Sequence, residues 1–98
     1  MSLPIDFHLE AVDEVDAAFA WYDDQRIGLG EEFLEALLGR LEQIQESPEA
    51  WAVLYRKIRA CPMRRFPYII YYRVLADRIN IIAVQHGHRN PKEWRRRA

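Results

Sequence analysis

The stretch from Tyr68 to His86, YIIYYRVLADRINIIAVQH, constrains this chain most, because it reads as two strands folded back on each other. Tyr68 to Val74 is almost wholly aromatic and β-branched, a composition that fits a pleated, half-buried surface. Leu75-Ala76-Asp77-Arg78 is a short break, and Ile79 to Gln85 resumes the apolar run. With Val74 opposite Ile79, alternation places Tyr72–Ile81 and Ile70–Ala83 on one side of the sheet. Arg73–Asn80, Tyr71–Ile82 and Ile69–Val84 then fall on the other. The first side is apolar throughout and is predicted to meet the core. The second carries Arg73, Asn80 and, at its end, His86, and is predicted to stay half open.

Around this hairpin the chain is short and regular. Pro4 to Leu9 alternates Ile5, Phe7 and Leu9 with Asp6 and His8, which predicts a brief strand. From about Glu10, Val12, Val15, Phe19 and Tyr22 recur at helical spacing, with Trp21 widening the stripe and Asp13, Asp16 and Asp23 on the far face. Ile27-Gly28-Leu29-Gly30 breaks that helix near Arg26. A second helix is predicted from Glu31 to Glu46, burying Phe33 or Leu34, Leu37, Leu38, Leu41 and Ile44, and stopped by Ser47-Pro48. So short a joint makes the pair an antiparallel hairpin. Glu49 to Arg56 reads as a loop. Lys57 to Met63 reads as a third strand, placed at the sheet edge because Pro62 lacks a ladder donor. After His86 a loop leads to Pro91, which can open one or two helical turns up to Arg97. The predicted fold is α+β: an antiparallel helical hairpin on a mostly antiparallel four-stranded sheet, in the order β-α-α-β-β-β with a short C-terminal helical turn, one domain over residues 1–98.

Composition narrows the functions. The single cysteine, Cys61, cannot form an internal disulfide, and no apolar run approaches membrane-spanning length. The first sixteen residues hold five acids and no Lys or Arg, unlike a secretory signal, so a cytoplasmic protein is expected. There is no threonine, and the two serines and one cysteine sit beside no base in a recognisable motif, which argues against a Ser or Cys hydrolase. Gly28-Leu29-Gly30 joins two helices and cradles no phosphate, so no cofactor is expected. His86 and His88 lack a third ligand nearby, so no metal is expected.

Charge is split along the chain. Residues 1–49 carry 13 acids against two arginines, and residues 50–98 carry 12 Lys/Arg against two acids. Two readings stand open: the halves attract each other across the fold, or the basic half meets an acidic partner. Arginines beside Tyr71 and Trp94 are the combination that holds phosphates while stacking bases. His86 among these cations can serve as a general acid or base.

Several segments together resemble the RelE/ParE toxins of type II toxin–antitoxin systems, also called plasmid stabilisation proteins. They are Ala20-Trp21-Tyr22, Gly28-Leu29-Gly30-Glu31-Glu32-Phe33, Arg64-Arg65-Phe66-Pro67-Tyr68, Tyr71-Tyr72-Arg73, Ala83-Val84-Gln85-His86-Gly87-His88-Arg89-Asn90-Pro91 and Trp94-Arg95. The resemblance covers nearly the whole chain and implies a bacterial toxin neutralised by a cognate antitoxin protein. RelE-like members cleave messenger RNA on the ribosome with basic residues and a tyrosine or histidine; ParE-like members act on DNA gyrase. This chain closes on Trp94-Arg95-Arg96-Arg97-Ala98 without a terminal tyrosine or histidine, which looks ParE-like and favours an inhibitor over an enzyme. If the chain is RelE-like instead, the resemblance implies His86 as acid or base and Arg64, Arg65 and Arg89 as cations. A third reading is a non-toxic binding module.

Two surfaces follow as expectations. Ile69, Tyr71, Ile82 and Val84, rimmed by Arg59, Arg64 and Arg73, form the expected antitoxin-binding strip, because an exposed apolar row usually marks a partner site. Trp94, Arg95, Arg96 and Arg97 form the expected target-binding tail, unless they only solubilise the terminus.

Overall fold

The computed structural model describes residues 2–98. The strands that open the sequence argument, β4 (Tyr68–Val74) and β5 (Ile79–His86), pair antiparallel. Near the turn their register is the predicted one, with Val74 opposite Ile79, Arg73 opposite Asn80 and Tyr72 opposite Ile81. Beyond it the ladder slips by one residue: Tyr71 faces Ala83, and Ile70 faces Val84. Ile82 is thus the extra residue of a β-bulge, which locally breaks the two-residue alternation. Ile81 and Val84 point to the helical layer, whereas Ile82 and Ala83 both join the cluster on the opposite face. The predicted sides of Ala83 and Val84 are therefore exchanged, and His86, opposite Tyr68, lies on the α1 side and not on the predicted half-open face.

Five strands form the sheet, in the order β1-β5-β4-β3-β2, not four. β1 (Ile5–Phe7) lies parallel to β5, and β3 (Ile58–Pro62) lies antiparallel to β4. The added strand is β2 (Val53–Tyr55), which turns tightly onto β3 within the segment predicted as a loop. β3 is consequently interior, and Pro62 does not mark an edge. The Ala60 N–H donates to Ala52 O on the β2 side, and the Met63 N–H donates to Tyr68 O on the β4 side. Donors alternate along a strand, so the Pro62 nitrogen faces the β2 side beyond the end of β2, where no ladder bond is lost.

α1 (Leu9–Gln25) and α2 (Leu29–Glu46) cover the other face. α1 buries Ala11 and Ala18 and half-buries Val15 and Tyr22, while Val12 and Trp21 turn outward. The buried stripe therefore runs through small residues, which lets α1 approach β5 closely. α2 buries Phe33, Leu37, Leu41 and Ile44 and exposes Leu38. Tyr22, Phe33, Phe66 and Tyr68 interlock at the closed end of the core, with ring centroids 4.9–6.1 Å apart.

The helix joint depends on two glycines. Gly28 has φ +91°, a left-handed conformation in which a side chain is strained. The Asp23 Oδ1 accepts both the Gly28 N–H (2.9 Å) and the Gly30 N–H (3.2 Å), tying the end of α1 to the start of α2. A Cβ at Gly30 would sit 2.9 Å from the Phe19 ring and 2.9 Å from its carbonyl oxygen, whereas one at Gly39 meets nothing within 4 Å. Gly30→Ala is expected to cost roughly 1–3 kcal/mol through overpacking, lowering Tm by on the order of 10 °C. Gly39→Ala is expected to raise stability by about 0.5–1 kcal/mol. Thermal melts of the two variants check the contrast, and an unchanged Tm for Gly30→Ala would contradict the close helix crossing.

Candidate functional site

The sheet face away from α1 and α2 is covered. The short helix α3 (Lys92–Arg95) starts at Pro91, and the Lys92 N–H donates to the Asn90 side chain (3.0 Å). α3 lays Trp94 flat on Tyr71, with centroids 4.4 Å apart and 17° between the rings. Ile58, Ile82 and Ala83 complete this second cluster. Tyr71, Ile82 and Val84 are all buried, the last through the bulge that turns it to the core, and Ile69 is half-buried. The Arg59 guanidinium donates to the carbonyls of Glu49 (3.2 Å) and Trp51 (2.7 Å), holding the connection into β2. Arg73 is half-buried beside Ile58, Val74 and Leu75. The strip expected to stay open is a second small core, because Trp94 folds over it.

The arginine tail is docked. Arg97, its side chain 3% exposed, donates to both Glu14 oxygens (2.9 Å each) and to Ile82 O (3.1 Å). The same Glu14 carboxylate accepts the Val84 N–H (3.1 Å) and the Gln85 side-chain amide (2.6 Å). Arg96 forks onto Glu10, and this hydrogen bond is the largest influence holding the Glu10 carboxyl below its ordinary range. Arg65, then Arg26, does the same to Glu32. The attraction of the acidic half for the basic half thus has a concrete form at the tail and at the helix joint.

The residues named for RNA cleavage do not converge. His86 and Arg89 line a groove of about 250 Å³ with Glu14, Ala18, Trp21 and Tyr68. Arg64 lines a different groove against α2, with Ala36, Arg40 and Gln43. Arg65 is paired to Glu32 at 2.6 Å. The His86 Nδ1 accepts the His88 N–H at 3.1 Å, which leaves Nε2 as the open ring nitrogen. Burial raises the Tyr68 and Tyr71 hydroxyls above their ordinary value and pushes the Tyr72 hydroxyl up to about 12. It also pushes the buried Cys61 thiol up to about 11, the direction of an unreactive thiol.

Two features escape sequence reasoning. Trp21 stands 60% exposed in the last turns of α1, and Ile27 in the α1–α2 joint is 91% exposed. Trp21 lines a further groove of about 290 Å³ with Tyr22, Pro67, Tyr68 and His86. Separately, Arg56 and Arg95 lie over the Tyr55 ring at 5.2 and 4.9 Å, beside Lys92 and Arg96. Tyr55-Arg56-Lys57 between two short strands was the available signal for this cluster. It was hidden by reading the segment as loop.

A helical hairpin on a mixed sheet, with an arginine tail folded back onto an acidic helix, makes this a small α+β fold. The model of the ParE toxin of type II toxin–antitoxin systems, parDE, matches residues 5–91. The toxin ParE2 of two Mycobacterium tuberculosis strains is 34% identical over 88 residues, 86% of this chain and 81% of that protein. A solved structure titled "Chromosomal ParDE TA system from P. aeruginosa" superposes with a TM-score of 0.76 at 15% identity, covering 87% of this chain and 96% of that one. This chain belongs to the ParE toxin family of type II toxin–antitoxin systems. Among the described residues no helix is long and apolar enough to cross a membrane.

Proposed function

We propose that this toxin works in the cytoplasm, inhibits DNA gyrase, and is held inactive by a cognate antitoxin. The observation that carries the reading is the dispersal of the acid–base set. Cutting a phosphodiester through the 2′-hydroxyl needs one group to take that proton, another to protonate the leaving oxygen, and cations for the phosphate charge. His86 has Arg89 beside it, but Arg64 and Arg65 belong to the α2 side and Tyr71 lies under Trp94. Losing one general acid or base typically removes roughly 10²–10⁴ in rate, so an inhibitor that binds a protein target fits this geometry better than a nuclease. On one purified preparation, gyrase supercoiling is expected to be inhibited and messenger RNA on programmed ribosomes to stay intact. Codon-position cuts that vanish in His86→Ala would replace the gyrase reading with the ribonuclease one.

The antitoxin surface belongs at the joint end of the helical hairpin. A large exposed aromatic beside a groove is the usual anchor of a partner site. Trp21, Ile27 and the Tyr68–His86 wall supply apolar area, and Arg89 supplies a cation for an acidic antitoxin segment. Trp21→Asp combined with Ile27→Asp is expected to abolish copurification with the antitoxin while leaving Tm within a few degrees of wild type. Retained copurification would move the antitoxin to another face.

A further inference from the structure

The groove walled by Tyr55, Arg56, Lys92, Arg95, Arg96 and Ala98 serves neither the core nor the proposed antitoxin surface. It is open, about 500 Å³ in volume, and shares no lining residue with the Trp21–His86 groove. Four of its lining side chains are cationic and none is acidic. Arg96 is committed to Glu10, whereas Arg56, Lys92 and Arg95 have no carboxylate within ion-pair distance among the described residues. All three are exposed.

Three uncompensated cations on one wall repel one another, and here the fold holds them together. Tyr55 is flanked by Arg56 at 5.2 Å and Arg95 at 4.9 Å, and Arg95 also lies over the Trp94 ring at 5.5 Å. Trp94 is itself locked on Tyr71. The guanidinia are thus seated on aromatic rings that belong to the second core, and their donors are left to the groove. Such preorganised arginines suit an anion that presents several oxygens in a row.

We propose that this groove binds the phosphodiester backbone of DNA, and, resting on the gyrase reading, that it engages the DNA held by the target enzyme. One feature favours DNA over an acidic protein segment. The Tyr55 ring is occupied by cations, so the groove offers little apolar surface for an amphipathic peptide, unlike the groove at Trp21. For the same reason no free ring is available to stack a base, so binding depends on charge and is independent of sequence.

The test needs no gyrase in its first arm. Wild-type toxin and the triple variant Arg56→Gln, Lys92→Gln, Arg95→Gln are titrated against a labelled duplex of random sequence over a range of salt concentrations. The log–log salt slope is about 0.9 per phosphate neutralised on duplex DNA, so the variant is expected to lose roughly three from the slope and to bind more than tenfold more weakly at about 0.1 M salt. A wild-type protein that does not bind the duplex, or a variant with an unchanged slope, would overturn the proposal. Polyglutamate bound as tightly as the duplex would also overturn it, in favour of an acidic protein partner. The second arm measures supercoiling inhibition, where the variant is expected to be at least tenfold less potent. Equal potency would overturn the role of the groove at the target. A wild-type toxin that binds DNA yet leaves gyrase untouched would contradict the gyrase reading alone and leave the groove assigned.

Discussion

Five of the eight residues of β5 have no neighbouring strand on one side, and the rest of the structure is arranged around what replaces it. β1 pairs only with Ile79 to Ile81, and the chain then leaves the sheet, with the His8 N–H on Ile81 O. The next groups on that edge, Ile82 O and the Val84 N–H, are taken by Arg97 and Glu14 at 3.1 Å each. An ion pair so enclosed adds little net stability by itself, but removing Arg97 costs roughly 3–5 kcal/mol, because the Glu14 carboxylate is left without a cation, whereas Arg97 without Glu14 keeps Glu10 at 3.0 Å. Glu14 fixes where α1 sits on the sheet, and Arg97 fixes where the chain ends its path. Between those two points α3 has one place to lie, with Trp94 on Tyr71. Arg95 then reaches Tyr55, and the basic groove follows from the edge bond.

The hairpin, the two helices and the helix joint were legible because each has a strong local signature. β-Branched and aromatic runs mark β4 and β5, period and breakers mark α1 and α2, and Gly28 with Gly30 marks the turn. The bulge at Ile82 was not legible, since Ile81-Ile82-Ala83-Val84 is apolar at every position. A slip of one residue there exchanges the faces of apolar residues, and the only polar groups it moves are Gln85 and His86 at the strand's end. β2 was missed because three residues give no measurable period, and its only support is the hairpin onto β3. In α1 the eye follows Val12 and Trp21, yet close approach to a sheet selects Ala11 and Ala18.

The residue types of the basic cluster were legible in the sequence, and their grouping was not. Composition pointed to arginines with aromatics, and the structure has such a cluster, built on Tyr55. Tyr71 and Trp94 are unavailable because they stack on each other. That pairing spans more than twenty residues of sequence, beyond the reach of local periodicity. The tail was read as a target-binding surface, with a solvated charge run as the alternative, because nothing local in Arg95-Arg96-Arg97 marks a partner within the chain. The acids that recruit it, Glu10 and Glu14, lie more than eighty residues earlier, one helical turn apart on the same helix face.

The measurement closest to the centre of this account is amide hydrogen exchange at Val84. If Glu14 and Arg97 close the free edge of β5, the Val84 N–H exchanges as slowly as the amides of interior β4, although no strand lies on the side it faces. In Glu14→Ala that protection falls further than the protection of Ile81, which β1 and β4 flank. A Val84 amide that exchanges quickly in the wild-type protein, or that loses no more protection than Ile81 in the variant, would contradict the claim that this ion pair organises the fold.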